Sequence, residues 1–298
     1  MPGRRPRVGL DGGAGEYDAA RLTPDTSGSA VDVHDEGLFG PGSVTWRVHV
    51  EPVLWIAGMR ALLLQSLHPR VMRGTYQNSA LFDPKKAWPR FQRTVEFVGT
   101  RTFGSTAEIE AIAGRVRRLH TTLRGHDPDG TPFRLDEPEH LLWVHVCEID
   151  SYVDVARRAG VLDAADADAY TAENVRAAEV VGLDPAIVPS SQAEMAAYFA
   201  RMRPTLAMTD EARLGVGGLL RPQPNAPAGI AVTLSTLAGL ALGTLPRWAR
   251  RMYGLPGLPT TDAATTVALR LARRATTVLP DPPMPPRAAR ARDLVRSA

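Results

Sequence analysis

Two histidines, His120 and His145, lie on apolar helical patterns and carry the strongest candidate chemistry in the chain. His120 stands four residues after Val116 and three before Leu123, so its imidazole shares the apolar face of a predicted helix. An imidazole in that position is either a core side chain bonded to a backbone carbonyl or an axial ligand of a haem iron, which requires a neutral ring and an apolar surround. His145 lies on the apolar stripe of the next helix and has the same two interpretations. Two inward histidines on consecutive helices are consistent with one shared pocket.

A second candidate group precedes these histidines in the sequence. Arg90 and Thr94 are four residues apart and therefore share one helix face, whereas Arg93 points about a quarter-turn away. These side chains are either the exposed start of a helix after Pro89 or a polar group that meets a ligand. In the second interpretation Arg90 and Arg93 bind carboxylates such as haem propionates, and Thr94 donates a hydrogen bond.

The absence of several common catalytic motifs reduces the number of possible reaction classes. It contains no glycine-rich phosphate loop, no nucleophile elbow and no His–Glu zinc pattern. Cys147 is the only cysteine, which excludes an internal disulfide and a thiolate metal cluster and favours a reducing cytoplasm. Lys and Arg total 35 against 32 Asp and Glu, and much of the excess lies at the two ends, so nucleic acid is not an expected partner.

The elements that must position these residues are predicted to be helices almost throughout. Pro52, Pro69 and Pro89 mark helix starts or stops, and Ser105 with Glu108 forms a capping-box pattern ahead of the helix that carries His120. Only the GTPFRL segment after Gly130 resembles a short strand. The sequence therefore predicts an all-α protein with a single multi-helix domain. The predicted helices cover approximately residues 52–68, 89–103, 106–124, 138–160, 163–181, 191–203, 210–220, 228–244, 246–253 and 262–278.

The two ends differ from this central domain, which is predicted to span residues 41–279. Residues 1–40 are rich in Gly, Pro, Asp and Arg, which predicts a flexible arm without an export signal. Residues 280–298 are predicted to form a Pro-rich basic tail with at most a short helix. Residues 222–246 carry no charge, but polar residues and glycines interrupt them, so a buried central helix is favoured over a membrane span. Contact of this segment with a membrane surface is left open, as is association into a homo-oligomer.

Three ordered blocks of sequence resemble one known family. They are the run from WRVHVEPVLW to VGTRTFG, the segment RRLHTTLRG, and the segment DEPEHLLWVHVCEID. Together they are similar to the latex-clearing rubber oxygenases and MpaB-type oxygenases, over most of residues 43–250. The resemblance implies a globin-like helical core, bound haem b and cleavage of isoprenoid double bonds with dioxygen. It also implies that His120 is the iron ligand and that Arg90, Arg93 and Thr94 match the family's arginine, basic residue and threonine.

One feature of the rubber oxygenases has no counterpart here. They carry a glutamate upstream of the arginine as a proposed base, and the matching stretch PRVMRGTYQNS contains none. The resemblance therefore does not bring that acid–base mechanism to this chain.

From the sequence we expect a haem b-dependent oxygenase or oxidase that acts on a small or medium apolar substrate with dioxygen. His120 ligates the iron, Arg93 and His145 help to hold the cofactor, and Arg90 with Thr94 serves the reaction. The alternative is a haem-binding or lipid-binding helical carrier without turnover. A third interpretation is a structural helical protein whose histidines are ordinary core residues.

Overall fold

Most helices lie within the ranges predicted from the sequence, whereas those over Val44–His49 and Pro69–Asn78 were not predicted. This computed structural model describes residues 35–83, 85–221, 228–278 and 284–297, all within one unit, Asp35–Ala298. Over these residues the fold is all-α apart from two short strands, which confirms the predicted class. The helices are α1 (Val44–His49), α2 (Trp55–Gln65), α3 (Pro69–Asn78), α4 (Ala87–Phe103), α5 (Thr106–Thr122), α6 (Pro138–Ala159), α7 (Ala164–Glu173), α8 (Val175–Val180), α9 (Gln192–Met202), α10 (Asp210–Leu220), α11 (Ala228–Thr244), α12 (Arg247–Met252), α13 (Pro259–Val278) and α14 (Pro286–Ser297).

The starts of α5 and α3 have clear local causes, although Pro69 was predicted to end the preceding helix and not to begin a new one. The hydroxyl of Ser105 accepts a hydrogen bond from the backbone of Glu108, whose carboxylate accepts one from the backbone of Ser105, so the capping box of α5 is complete. Pro69 stands at the first position of α3, and the His68 ring accepts a hydrogen bond from the backbone of Val71. These contacts satisfy amide groups that the first turn of a helix leaves without partners.

The predicted helix over residues 163–181 was wrong in one respect, because it is two helices, α7 and α8. The break falls at Asn174, whose side-chain amide donates to the carbonyl of Tyr170 and to the hydroxyl of Thr45. A buried side chain that bonds its own backbone competes with helical hydrogen bonding, which accounts for the break.

The core is centred on α2, which packs mainly against α6 and α11. Fully buried leucines of α2 meet the indole of Trp143, which donates to the carbonyl of Gln65 over 3.1 Å. Arg60 of α2 is also buried, and its guanidinium donates to Asp150 and Ser151 of α6. The long helix α6, which carries His145, is thereby fixed against the core.

Helix α11, predicted to be a buried central helix, is buried on one side only. Ala238 and Ala241 are fully buried, whereas Val232, Thr233 and Thr236 remain exposed. Among the described residues, no helix combines the length and the apolar character needed to cross a bilayer.

Both ends of the described chain contact the helical domain. Asp35, which the sequence assigned to the arm, accepts hydrogen bonds from the backbone and hydroxyl of Thr106 at the start of α5. Helix α14 packs on α1 and α4, and Arg287 pairs with Glu108. Residues 1–34 and 279–283 lie outside the described residues.

Two antiparallel strands follow α5, β1 (Arg124–His126) and β2 (Pro132–Arg134). The strand predicted in GTPFRL is β2, whereas β1 was not predicted. Gly125 pairs with Phe133, and the Phe133 ring occupies the space where a side chain at Gly125 would lie.

Replacing Gly125 with alanine is expected to destabilise the protein by about 1–3 kcal/mol, because the new methyl group would overlap a buried ring. A Cβ at Gly125 would overlap the Phe133 ring. Chemical denaturation measures the effect, with Gly217→Ala as the control, since a Cβ there meets nothing within 4 Å. A Gly125→Ala variant as stable as the native chain would contradict this account of the β1–β2 pair.

Candidate active site

Helices α4 and α5 carry four of the five predicted site residues, Arg90, Arg93, Thr94 and His120. The two helices pack together and are joined by a short turn at Gly104 and Ser105. Arg90 lies about 20 Å back along α4 from this turn, and His120 lies about the same distance along α5, at 1.5 Å per residue. The end of α4 that carries Arg90 and Thr94 therefore faces the end of α5 that carries His120.

The electrostatics of these groups agree with that placement. The positive charge of Arg90 contributes to lowering the pKa of His120, although burial of the ring contributes more and Asp136 acts in the opposite direction. The pKa of Arg90 is itself lowered, first by burial and then by the charge of Arg93. Arg90 is thus close enough to act on both Arg93 and His120, and the His120 ring is neutral near pH 7.

The His120 ring has a nitrogen atom whose bonding the protein leaves incomplete, as a metal ligand requires. Its Nδ1 atom is buried, and no side chain or backbone group of the described residues bonds it. A buried ring nitrogen without a partner costs free energy unless another group completes its bonding. A neutral imidazole of this kind can ligate a metal ion.

Arg90 and Thr94 form one unit on the surface of α4. The Arg90 guanidinium donates to the Thr94 hydroxyl over 2.6 Å, and this hydroxyl donates back to the Arg90 carbonyl over 3.2 Å. Neighbouring groups remove part of the hydration of Arg90, but the side chains of Arg90 and Arg93 remain exposed to solvent, so both can still bind an anionic group. Thr94 retains a lone pair for one further contact.

Aromatic rings surround this end of α4. Trp88 stacks on Phe91 with 5.7 Å between the ring centroids, and Trp55 of α2 approaches Phe91 at 6.4 Å. All three rings are only partly buried. A flat apolar ligand beside Arg90 would therefore find rings to pack against.

His145 lies in a different environment. It is 5% exposed, and burial lowers its pKa to about 4, with Arg101 adding to the decrease and Glu148 opposing it. The charges that act on His145 are therefore not those that act on His120. The structure brings Arg90, Arg93, Thr94 and His120 together but does not place His145 with them. Its assignment to the cofactor stays a prediction.

The donor set fits an iron held in a porphyrin better than a metal held by protein alone. Among the described residues, no group of three His, Cys, Asp or Glu side chains converges to hold a metal ion. A porphyrin supplies four nitrogens, so one protein ligand such as His120 is enough to attach its iron. The unpartnered His120 ring, the exposed arginines and the aromatic rings fit such a group.

Sequence reasoning missed several buried residues near His145. Arg101 lies eleven residues after Arg90, on the same face of α4, and Glu148 follows His145 by three residues on α6. The helical spacing of each pair was the available signal. The pairing of Arg101 with Glu148 could not be read from it, because the two residues are on different helices.

The fold and this site define an all-α protein with a single-histidine candidate centre between two antiparallel helices. The chain belongs to the family described as ER-bound oxygenase mpaB/B'/Rubber oxygenase, catalytic domain, whose sequence model matches residues 46–278. The match covers both α4 and α5 and the whole candidate site. No curated protein and no solved structure matches the chain significantly. The chain is accordingly an oxygenase of this family.

Proposed function

We propose that the chain is a haem b-dependent oxygenase that acts on a small or medium apolar substrate with dioxygen. The observation that carries the proposal is the His120 ring, which is neutral, has a buried nitrogen without a partner, and lies opposite Arg90 in an oxygenase domain. His120 would hold the iron. The bound haem would supply the binding of dioxygen and the redox chemistry.

The surrounding residues have distinct roles in this proposal. Arg90 and Arg93 would bind the propionates, since guanidinium groups pair well with carboxylates. The Thr94 hydroxyl, oriented by Arg90, would accept a hydrogen bond on the reacting side. Trp55, Trp88 and Phe91 would exclude water and accept an apolar substrate.

Titration of haem into the purified protein tests the proposal. We expect saturation at about one haem per chain, as a single axial histidine requires. Absorbance that rises without saturation, as free haem gives, would contradict the proposal and favour a protein without this cofactor.

The Thr94→Ala variant is expected to retain haem but to lose about tenfold of its turnover, because it lacks one hydrogen-bonding hydroxyl. An oxygen electrode measures turnover as dioxygen consumption by the reduced, haem-loaded protein with an isoprenoid alkene. Thr94→Ser keeps the hydroxyl and is the matched control, with activity near that of the native chain. Equal turnover in Thr94→Ala and Thr94→Ser would show that the hydroxyl has no part in the reaction.

A further inference from the structure

A second polar group is buried between α1, α4, α6 and α7, separate from His120. We call it the inner cluster, and its members are His49, Arg101, His145, Glu148, Tyr152 and Tyr170. Both carboxylate oxygens of Glu148 accept hydrogen bonds from Arg101. The His49 ring bonds the Tyr170 hydroxyl over 2.9 Å and stacks on Tyr152 with 4.3 Å between the centroids.

Several polar atoms of the inner cluster have no partner. The Nε atom of Arg101 is buried and unbonded, although this side chain is only 2% exposed. No described residue bonds His145 or the Tyr152 hydroxyl, but their polar atoms are not fully buried, so solvent can reach them. Each unpaired buried donor costs about 1–3 kcal/mol. The Arg101 Nε atom therefore lacks a partner, and His145 and Tyr152 are open to a ligand that displaces water.

The accessible side of the inner cluster and the rings that border it indicate which kind of ligand can bind. His49 and Tyr152 retain part of their accessible surface, whereas Arg101 and His145 lie deeper. The stacked rings of His49 and Tyr152 border the accessible part, and Phe97 lies against the Arg101 guanidinium. A flat apolar group can pack against these rings while its polar end reaches the unbonded donors.

The charge of the inner cluster selects against an anion. Arg101 is already neutralised by Glu148. Burial, with a smaller contribution from Arg101, lowers the pKa of His49 to about 3 and that of His145 to about 4, so both rings are neutral near pH 7. A carboxylate would lose its hydration here without gaining a free cation. A neutral oxygen needs only the hydrogen-bond donors that are present.

We propose that the inner cluster binds the hydroxyl or carbonyl oxygen of a neutral, flat, apolar molecule. Tyr152, His145 and Arg101 donate to that oxygen, and the neighbouring rings hold the apolar part. That this molecule is the substrate of the oxygenase rests on the proposed function. Binding itself does not require haem.

Calorimetric titration of the full chain without haem tests the proposal, with 2-naphthol as the neutral probe and 2-naphthoate as the matched anion. We expect 2-naphthol to bind at least about tenfold more tightly, because only the anion loses hydration without compensation. Tyr152→Phe should weaken 2-naphthol binding by about five- to tenfold, the effect of one hydrogen bond. The lost hydroxyl bonds no described residue, so this variant should fold as the native chain does.

Tyr76→Phe is the control, because this tyrosine is exposed on α3 away from the inner cluster, and its affinity for 2-naphthol should equal that of the native chain. Tighter binding of 2-naphthoate, unchanged affinity in Tyr152→Phe, or no saturable binding would each overturn the proposal. Repeating the titration after addition of haem separates the two proposals. A chain that binds 2-naphthol but no haem would contradict the proposed function alone.

Discussion

The His120→Ala variant is expected to lose the Soret band entirely after haem addition and gel filtration, while its helical circular dichroism stays close to that of the native chain. The imidazole is the only protein ligand that the account assigns to the iron. Its loss should leave the fold intact because the ring forms no hydrogen bond through Nδ1 and lies near the end of α5. Absorbance of the eluted protein, scaled to protein concentration, measures the effect.

His126→Ala is the matched control, since this histidine is exposed on β1 and should not affect haem retention. If His120→Ala retained a full complement of haem, another side chain would have to be the ligand. His145 would then be the next candidate to replace.

The second large effect is expected in the Arg101→Met variant, whose free energy of unfolding should fall by about 3–5 kcal/mol. The substitution leaves the Glu148 carboxylate buried without its cation. Glu148 is paired with Arg101 through both oxygens, and this pairing keeps the pKa of Glu148 lowered against the opposing effect of burial. Chemical denaturation near pH 7 measures the loss of stability.

The pH dependence supplies a second readout for the same variant. Without Arg101, burial should raise the folded-state pKa of Glu148 above its unfolded value. A raised pKa favours the protonated folded state, so the difference in stability from the native chain should shrink as the pH falls.

Two further variants test whether the lost stability comes from the unpaired Glu148 carboxylate. Arg101→Met combined with Glu148→Leu should recover part of the lost stability, because no buried charge remains unpaired. Arg134→Ala breaks an exposed pair with Asp136 and should cost less than about 1 kcal/mol. An Arg101→Met variant that loses no more stability than Arg134→Ala would show that the pair does not hold α4 against α6.

Much of the fold and part of the site could be predicted from local sequence patterns. Capping at Ser105 is a short-range effect that the structure confirms, whereas Pro69 was predicted to end a helix and in fact also begins the next one, α3. The short turn between α4 and α5 makes these helices neighbours, which is why the charge of Arg90 acts on His120. Such features depend on residues a few positions apart.

The parts that were missed depend on contacts between distant segments. Arg101 and Glu148 are 47 residues apart, and a charged helix residue is usually solvated, so neither residue was marked as buried. Strand β1 is three residues long and contains no apolar side chain that could signal its alternation, and Phe133 of β2 lies against its central glycine. The shared pocket proposed for His120 and His145 likewise depended on how α5 and α6 lie, which their separate stripes do not define.

The central claim is that this oxygenase carries a haem whose iron is held by His120 and open to small ligands. The most direct measurement is the absorption spectrum of the haem-loaded chain, reduced with dithionite and then exposed to carbon monoxide. We predict a Soret band that shifts on addition of carbon monoxide and is missing from His120→Ala. A featureless spectrum after haem addition, or a Soret band that carbon monoxide leaves unchanged, would contradict the account.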